Sequence, residues 1–121
     1  MAYEFRVLKS AIRFYHLVSA LRLPRRKLKE QLVSAAESVC LQLSEGDRRS
    51  SQQDRLCFFN RALASVKEAQ TALMIGQVTD PVILDLADYL GGATYKLANW
   101  RPADIQGGDW MPLAPRKISC R

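Results

Sequence analysis

The sequence is poor in the groups that assemble reactive centres. It has a single histidine, His16, and three cysteines, Cys40, Cys57 and Cys120. One imidazole and an odd number of thiols without metal-ligand spacing do not build a zinc site of the usual nitrogen and sulfur donors. The thiols read as reduced, which points to the cytoplasm. No stretch approaches the roughly 18 uninterrupted apolar residues of a membrane span. The first residues lack a charged start followed by an apolar run, so no signal peptide is expected. Glycine-rich phosphate loops are missing too: Gly91-Gly92 and Gly107-Gly108 lack the nucleotide-binding pattern and its strand context. Carboxylates are scattered. Glu37 and Glu45 stand eight apart, and Asp85 and Asp88 share a helical face, too few oxygens for a hard cation. These absences predict no catalytic residue, no metal and no cofactor, and so not an enzyme.

What is present is positive charge, unevenly placed. The 121 residues, most simply one domain, carry a formal net charge of +6. Residues 1–67 hold 13 Lys/Arg against 6 Asp/Glu, whereas residues 68–121 hold 5 against 6. Such asymmetry points to an anionic partner, with a solvated surface as the plainer reading.

Apolar residues recur at steps of three and four in four segments, each roughly 18 to 25 residues long. The first stripe is Phe5, Leu8, Ile12, Tyr15 and Ser19, widened by Ala11 and Val18, and Pro24 ends the segment. The second is Leu28, Leu32, Ala35, Val39 and Leu43, with Gly46 as its left-handed close. The third is Leu56, Phe59, Leu63, Val66 and Leu73, with Gly76 near its end. The fourth begins after Thr79 or Asp80, with Pro81 at the first helical position, and buries Ile83, Leu86, Leu90, Ala93 and Leu97. Gly91-Gly92 inside it suggests a close helix crossing or a kink. Short connections favour antiparallel neighbours, which predicts an all-α, up-down-up-down antiparallel four-helix bundle over residues 1–100. Pro102, Gly107, Gly108, Pro112 and Pro115 predict an irregular C-terminal tail over 101–121, with Trp110, Met111 and Leu113 as an apolar docking element.

Around the second connection, Glu45, Gly46 and Ser51 form a structural junction. Ser50 or Ser51 can cap the next helix, Ser51 with capping-box spacing to Asp54, and Glu45 is placed to pair with Arg48 or Arg49. The basic residues fall in three groups. Arg6, Lys9 and Arg13 line the first helix, and Arg22, Arg25, Arg26, Lys27 and Lys29 crowd the first connection. Arg48, Arg49, Arg55 and Arg61 follow the second helix. These are the candidate nucleic-acid contacts, and phosphate binding of this kind is largely sequence-independent and salt-sensitive. No aromatic stacking platform for single strands is evident.

One further pattern runs through the middle of the chain: Gln31-Leu32, Ala35-Ala36, Ser38-Val39, Ser44-Glu45-Gly46, Arg49, Ser51, Phe58, Ala62-Leu63, Ser65, Glu68 and Thr71. It resembles the four-helix-bundle proteins encoded by intervening sequences in bacterial 23S ribosomal RNA genes. That family is in turn similar to the accessory variability proteins of diversity-generating retroelements. The resemblance implies a small antiparallel bundle that assembles into a homopentamer and has no established activity. In the retroelement branch it implies binding to nucleic acid and to a reverse transcriptase. The chain departs from the family pattern by Ser34 in place of a basic residue, Cys40 in place of proline and Ala64 in place of glycine. Arg48 replaces a glycine and Arg61 an apolar residue, and both add charge. The leading expectation is a non-catalytic, oligomeric, basic bundle that binds RNA or DNA backbone. The alternative is a protein-interaction scaffold or accessory subunit with no nucleic-acid role.

Overall fold

The computed structural model describes residues 3–99, which fold into four α-helices: α1 (Tyr3–Ala20), α2 (Arg26–Arg48), α3 (Gln52–Ile75) and α4 (Pro81–Asn99). No strand occurs among the described residues, so the fold is all-α. The segment 101–121, with Trp110, Met111 and Leu113, lies outside the described residues. No helix among the described residues is long and apolar enough to cross a membrane.

Local chemistry sets the helix ends. Asp80 caps α4: its Oδ1 accepts from the N–H groups of Val82, at 2.9 Å, and Ile83, at 3.3 Å. Pro81 occupies the first helical position, where its missing N–H costs nothing. Ser51 caps α3, its Oγ accepting from the Asp54 N–H at 3.3 Å. At the C-terminus of α3, Gln77 takes the left-handed conformation at φ 54. Its N–H reaches the Met74 carbonyl, and the Val78 N–H reaches that of Leu73. Those paired bonds make a Schellman close, here formed on a glutamine instead of a glycine.

Each helix packs against its sequence neighbours, and α1 also packs against α4. One core joins all four helices. The stripe expected of α2 is buried throughout, as are Leu56, Phe59, Val66 and Leu73 of α3 and Ile83, Leu90, Ala93 and Leu97 of α4. Leu63 and Leu86 are half-buried at its margin. Alanines, among them Ala62, Ala69, Ala72 and Ala87, complete the core. Gln70 links α3 to α4, its Nε2 donating to the Ala87 carbonyl at 3.2 Å. That nitrogen stands 3.1 Å from where a Cβ on Gly91 would be, so Gly91 serves the close crossing expected of the glycine pair. Gly92 meets nothing within 4 Å.

The first helix corrects its expectation. Val7, Ala11, Phe14 and Val18 face the core, while Phe5 and Ile12 are exposed. Both seams have helical spacing, and α1 presents to the core the one that inserts the Phe14 ring.

The close of α2 is corrected as well. Gly46 does not end the helix; α2 continues to Arg48, and the chain turns out at Arg49 with φ −78 and ψ 141. Gly46 is buried against the Phe59 ring. Its role is to leave room for that ring, not to supply a left-handed residue.

Cys57, read as a reduced thiol from the sequence, is disulfide-bonded, while Cys40 is free. Cys120 lies outside the described residues. Cysteine spacing along a chain carries no information on which thiols meet in space. The expectation of a cytoplasmic location loses the support it drew from three reduced thiols.

Candidate nucleic-acid interface

The candidate cations separate into groups with different surroundings. At the α2–α3 junction Glu45 holds two guanidiniums: Arg48 Nη2 lies 2.8 Å and Arg49 Nη2 3.4 Å from its carboxylate oxygens. One carboxylate therefore offsets half the charge of this pair. Arg49 also covers the Phe58 ring at 4.8 Å from the centroid, and Arg61 covers the same ring at 5.0 Å. Phe58 thus has two guanidiniums within cation–π range of its ring. Half of this arrangement was readable in the sequence, because Phe58 and Arg61 stand at neighbouring helical positions. The other half was not, because Arg49 lies across a turn.

Arg55 is a structural tie. Its side chain, 25% exposed, pairs with Glu4 of α1 at 3.4 Å. It donates to the Asp47 carbonyl at 3.2 Å and stands over the Phe59 ring at 5.4 Å. A guanidinium engaged three ways within the fold is poorly available to a phosphate, which sets Arg55 apart from the other candidates.

On α1, Arg6, Lys9 and Arg13 are all exposed. Arg6 lies over the Tyr3 ring at 5.6 Å and Lys9 over the Phe5 ring at 5.9 Å.

The α1–α2 connection packs its cations most closely along the chain. Arg22, Arg25, Arg26 and Lys27 are exposed. Arg26 has an ion pair with Glu30 at 3.5 Å, between two well-exposed side chains, an interaction of marginal worth. Arg22, Arg25 and Lys27 have no ion pair among the described residues. Lys29 is turned inward and donates to the Leu21 carbonyl. The start of α2 adds to this charge. Arg25 occupies its N-cap without a side-chain cap, and the first turn has no acidic residue. Free N–H groups and the positive end of the helix dipole favour an anion there.

Helix α2 is 23 residues long, which separates its ends by about 33 Å at 1.5 Å per residue. Arg22–Lys27 and Arg48–Arg49 are therefore separate patches on one chain, as expected from the sequence.

No cluster of three or more His, Cys, Asp or Glu that could hold a metal occurs among the described residues. His16 is exposed and meets the Tyr15 ring edge-on at 5.5 Å. Burial pushes the Cys40 thiol up to about 11, opposed by a backbone hydrogen bond and aided by Glu37. A thiol so shifted is a weak nucleophile at neutral pH.

Fold and surface together define a small, basic, all-α protein of four helices. The chain belongs to the 23S rRNA-intervening sequence protein family, whose sequence model matches residues 4–82. That match covers α1, α2, α3 and the first residues of α4. No curated protein and no solved structure matches the chain.

Proposed function

We propose that this protein is a non-catalytic, oligomeric four-helix bundle that binds the backbone of RNA or DNA. The observation that carries the reading is the α1–α2 connection, where Arg22, Arg25 and Lys27 are exposed without ion pairs beside an uncapped helix start. Arg48 and Arg49, which share Glu45, contribute second. Arg6 and Arg13 extend the basic surface along α1, and Arg55 acts within the fold. In an assembly of several copies, separate patches repeat and together supply the many phosphate contacts that backbone binding needs.

Within this proposal the helices run up-down-up-down. Register supports it: Gly46 meets Phe59, Ser38 bonds Ser65 at 2.9 Å, and Gly76 approaches Leu28. The α3 partner moves backwards as α2 advances. The oligomer is taken as a homopentamer, and the retroelement accessory proteins as relatives in kind, both by resemblance.

Filter binding of the purified protein to generic RNA and DNA at two salt concentrations tests the reading. Binding that weakens steeply with salt, and weakens further in the Arg22→Ala, Arg25→Ala, Lys27→Ala triple variant, is expected. Absence of binding at low salt overturns it.

A second reading, a protein-interaction scaffold or accessory subunit, is favoured by the α3–α4 connection. Met74 is 77% exposed there, beside an apolar cavity of about 690 Å³ that includes Leu73, Val78 and Leu84. A reverse transcriptase or another protein is the partner class on this reading. Stable capture of a protein partner by a variant that no longer binds nucleic acid would favour it.

A further inference from the structure

Two exposed seams remain after the core is formed, one on α1 and one on α4. Phe5 and Ile12 are 46% and 41% exposed, and Val82 and Tyr89 are 46% and 43% exposed. In each seam a charge lies between the two apolar side chains: Lys9 on α1 and Asp85 on α4. Neither Lys9 nor Asp85 has an ion pair among the described residues.

The spacings fit in one direction. Going up α1, the steps are four residues from Phe5 to Lys9 and three from Lys9 to Ile12. Coming down α4, the steps are four from Tyr89 to Asp85 and three from Asp85 to Val82. Each seam spans about 10.5 Å at 1.5 Å per residue. Side by side in opposite directions, the seams bring aromatic to aromatic, lysine to aspartate and isoleucine to valine. In the same direction the charges fall out of step by one residue, about 100° around the helix.

We infer that α1 of one copy docks antiparallel along α4 of a second copy, with Phe5 against Tyr89, Lys9 against Asp85 and Ile12 against Val82. The occupant is a copy of this chain because the chain itself carries the complementary seam, matched in charge and in step. The surface is heterologous, since each copy offers a seam on α1 and a different seam on α4, and such contacts build rings when the rotation closes. The inference rests on the oligomeric part of the proposed function and gives it an interface. It also withdraws Lys9 from the phosphate-facing set, leaving Arg6 and Arg13.

Analytical ultracentrifugation of the full chain tests this. The wild type should sediment as an assembly, while Lys9→Glu and Asp85→Lys should each fall towards the 13.7 kDa of the single chain. An equimolar mixture of the two variants should regain mass above the single chain, because alternating copies again join opposite charges, although a closed ring of five would keep one like-charged contact. The double variant should assemble alone. Glu37→Lys, on an exposed position of α2, should leave the mass unchanged. All three positions are exposed, and circular dichroism checks that the helices persist. A wild type that stays at the single-chain mass overturns both the interface and the oligomer, whatever filter binding shows. An assembled wild type whose single variants also stay assembled, or whose mixed variants stay apart, overturns this interface alone.

Discussion

The Phe59 ring of α3 stands 2.7 Å from the point where a Cβ on Gly46 of α2 would lie. No real Cβ tolerates that distance, so the two helices meet at this level only because position 46 has no side chain. Phe58 Cβ, at 3.2 Å, closes the same gap from the next residue. We expect Gly46→Ala to destabilise the fold by about 1–3 kcal/mol, the usual cost of overpacking a tight core. Urea denaturation followed by circular dichroism would measure it. Gly92→Ala is the matched opposite: nothing stands within 4 Å, and removing a glycine from a helix interior should stabilise by about 1 kcal/mol. A destabilised Gly92→Ala would show that this helical position is under a constraint that its surroundings do not reveal.

Gln77 gives a second stability test. Its φ of 54 is the conformation that a glycine adopts without steric cost. Gln77→Gly should raise the stability by roughly 0.5–1 kcal/mol while leaving the α3 cap bonds in place. Thermal unfolding of the two proteins side by side decides the sign.

Arg55 and the Arg22–Lys27 group separate structural from functional charge. Arg55→Ala removes the Glu4 pair, the bond to Asp47 and the packing on Phe59. It should cost on the order of 1 kcal/mol of stability. Nucleic-acid binding per folded molecule should change little. Arg25→Ala with Lys27→Ala should show the reverse pattern. If each of these residues touches a phosphate, the slope of log K against log salt on duplex DNA becomes shallower by about 0.9 for each cation removed. Equal stability losses in the two cases would remove the distinction drawn between them.

Cys40 predicts a pH effect. Its folded-state value is raised to about 11 from an ordinary 9.0, chiefly by burial. The folded chain therefore holds the thiol proton more tightly than the unfolded chain does. The contribution is fully present below pH 9 and is lost as pH rises from 9 towards 11. Cys40→Ser should flatten the decline in that window. Cys40 in the native protein should also react slowly with iodoacetamide at about pH 8, where little thiolate forms, and should react quickly once urea unfolds it.

The four helices and most of their buried stripes were legible from periodicity alone, because apolar residues recur at steps of three and four in each segment. The caps were legible to within one residue, as Ser50 or Ser51 and as Thr79 or Asp80, since capping is a local matter of a side-chain oxygen and the next few N–H groups. The inward face of α1 was not, because that helix has two seams of equal period. Which one turned inward depended on the helices it packs against, and the outward seam is the one that leaves Phe5 and Ile12 exposed. The basic residues could be counted, but their availability could not. Arg48, Arg49 and Arg55 look alike in sequence. Glu45, Phe58, Glu4 and Phe59 make them different, and two of those partners, Phe58 for Arg49 and Glu4 for Arg55, lie across a turn or on another helix.

The sequence by itself determined that the chain is helical, where α3 and α4 begin to within a residue, and that its positive charge is concentrated in residues 1–67. These follow from local propensity, capping and composition, which act over a few residues. Only the tertiary structure decided that Gly46 is a spacer for Phe59, that Arg55 is a tie and that Arg22, Arg25 and Lys27 are cations left without ion pairs among the described residues. These depend on which side chains meet across helices, and sequence periodicity fixes a helix's faces without fixing what each face will meet.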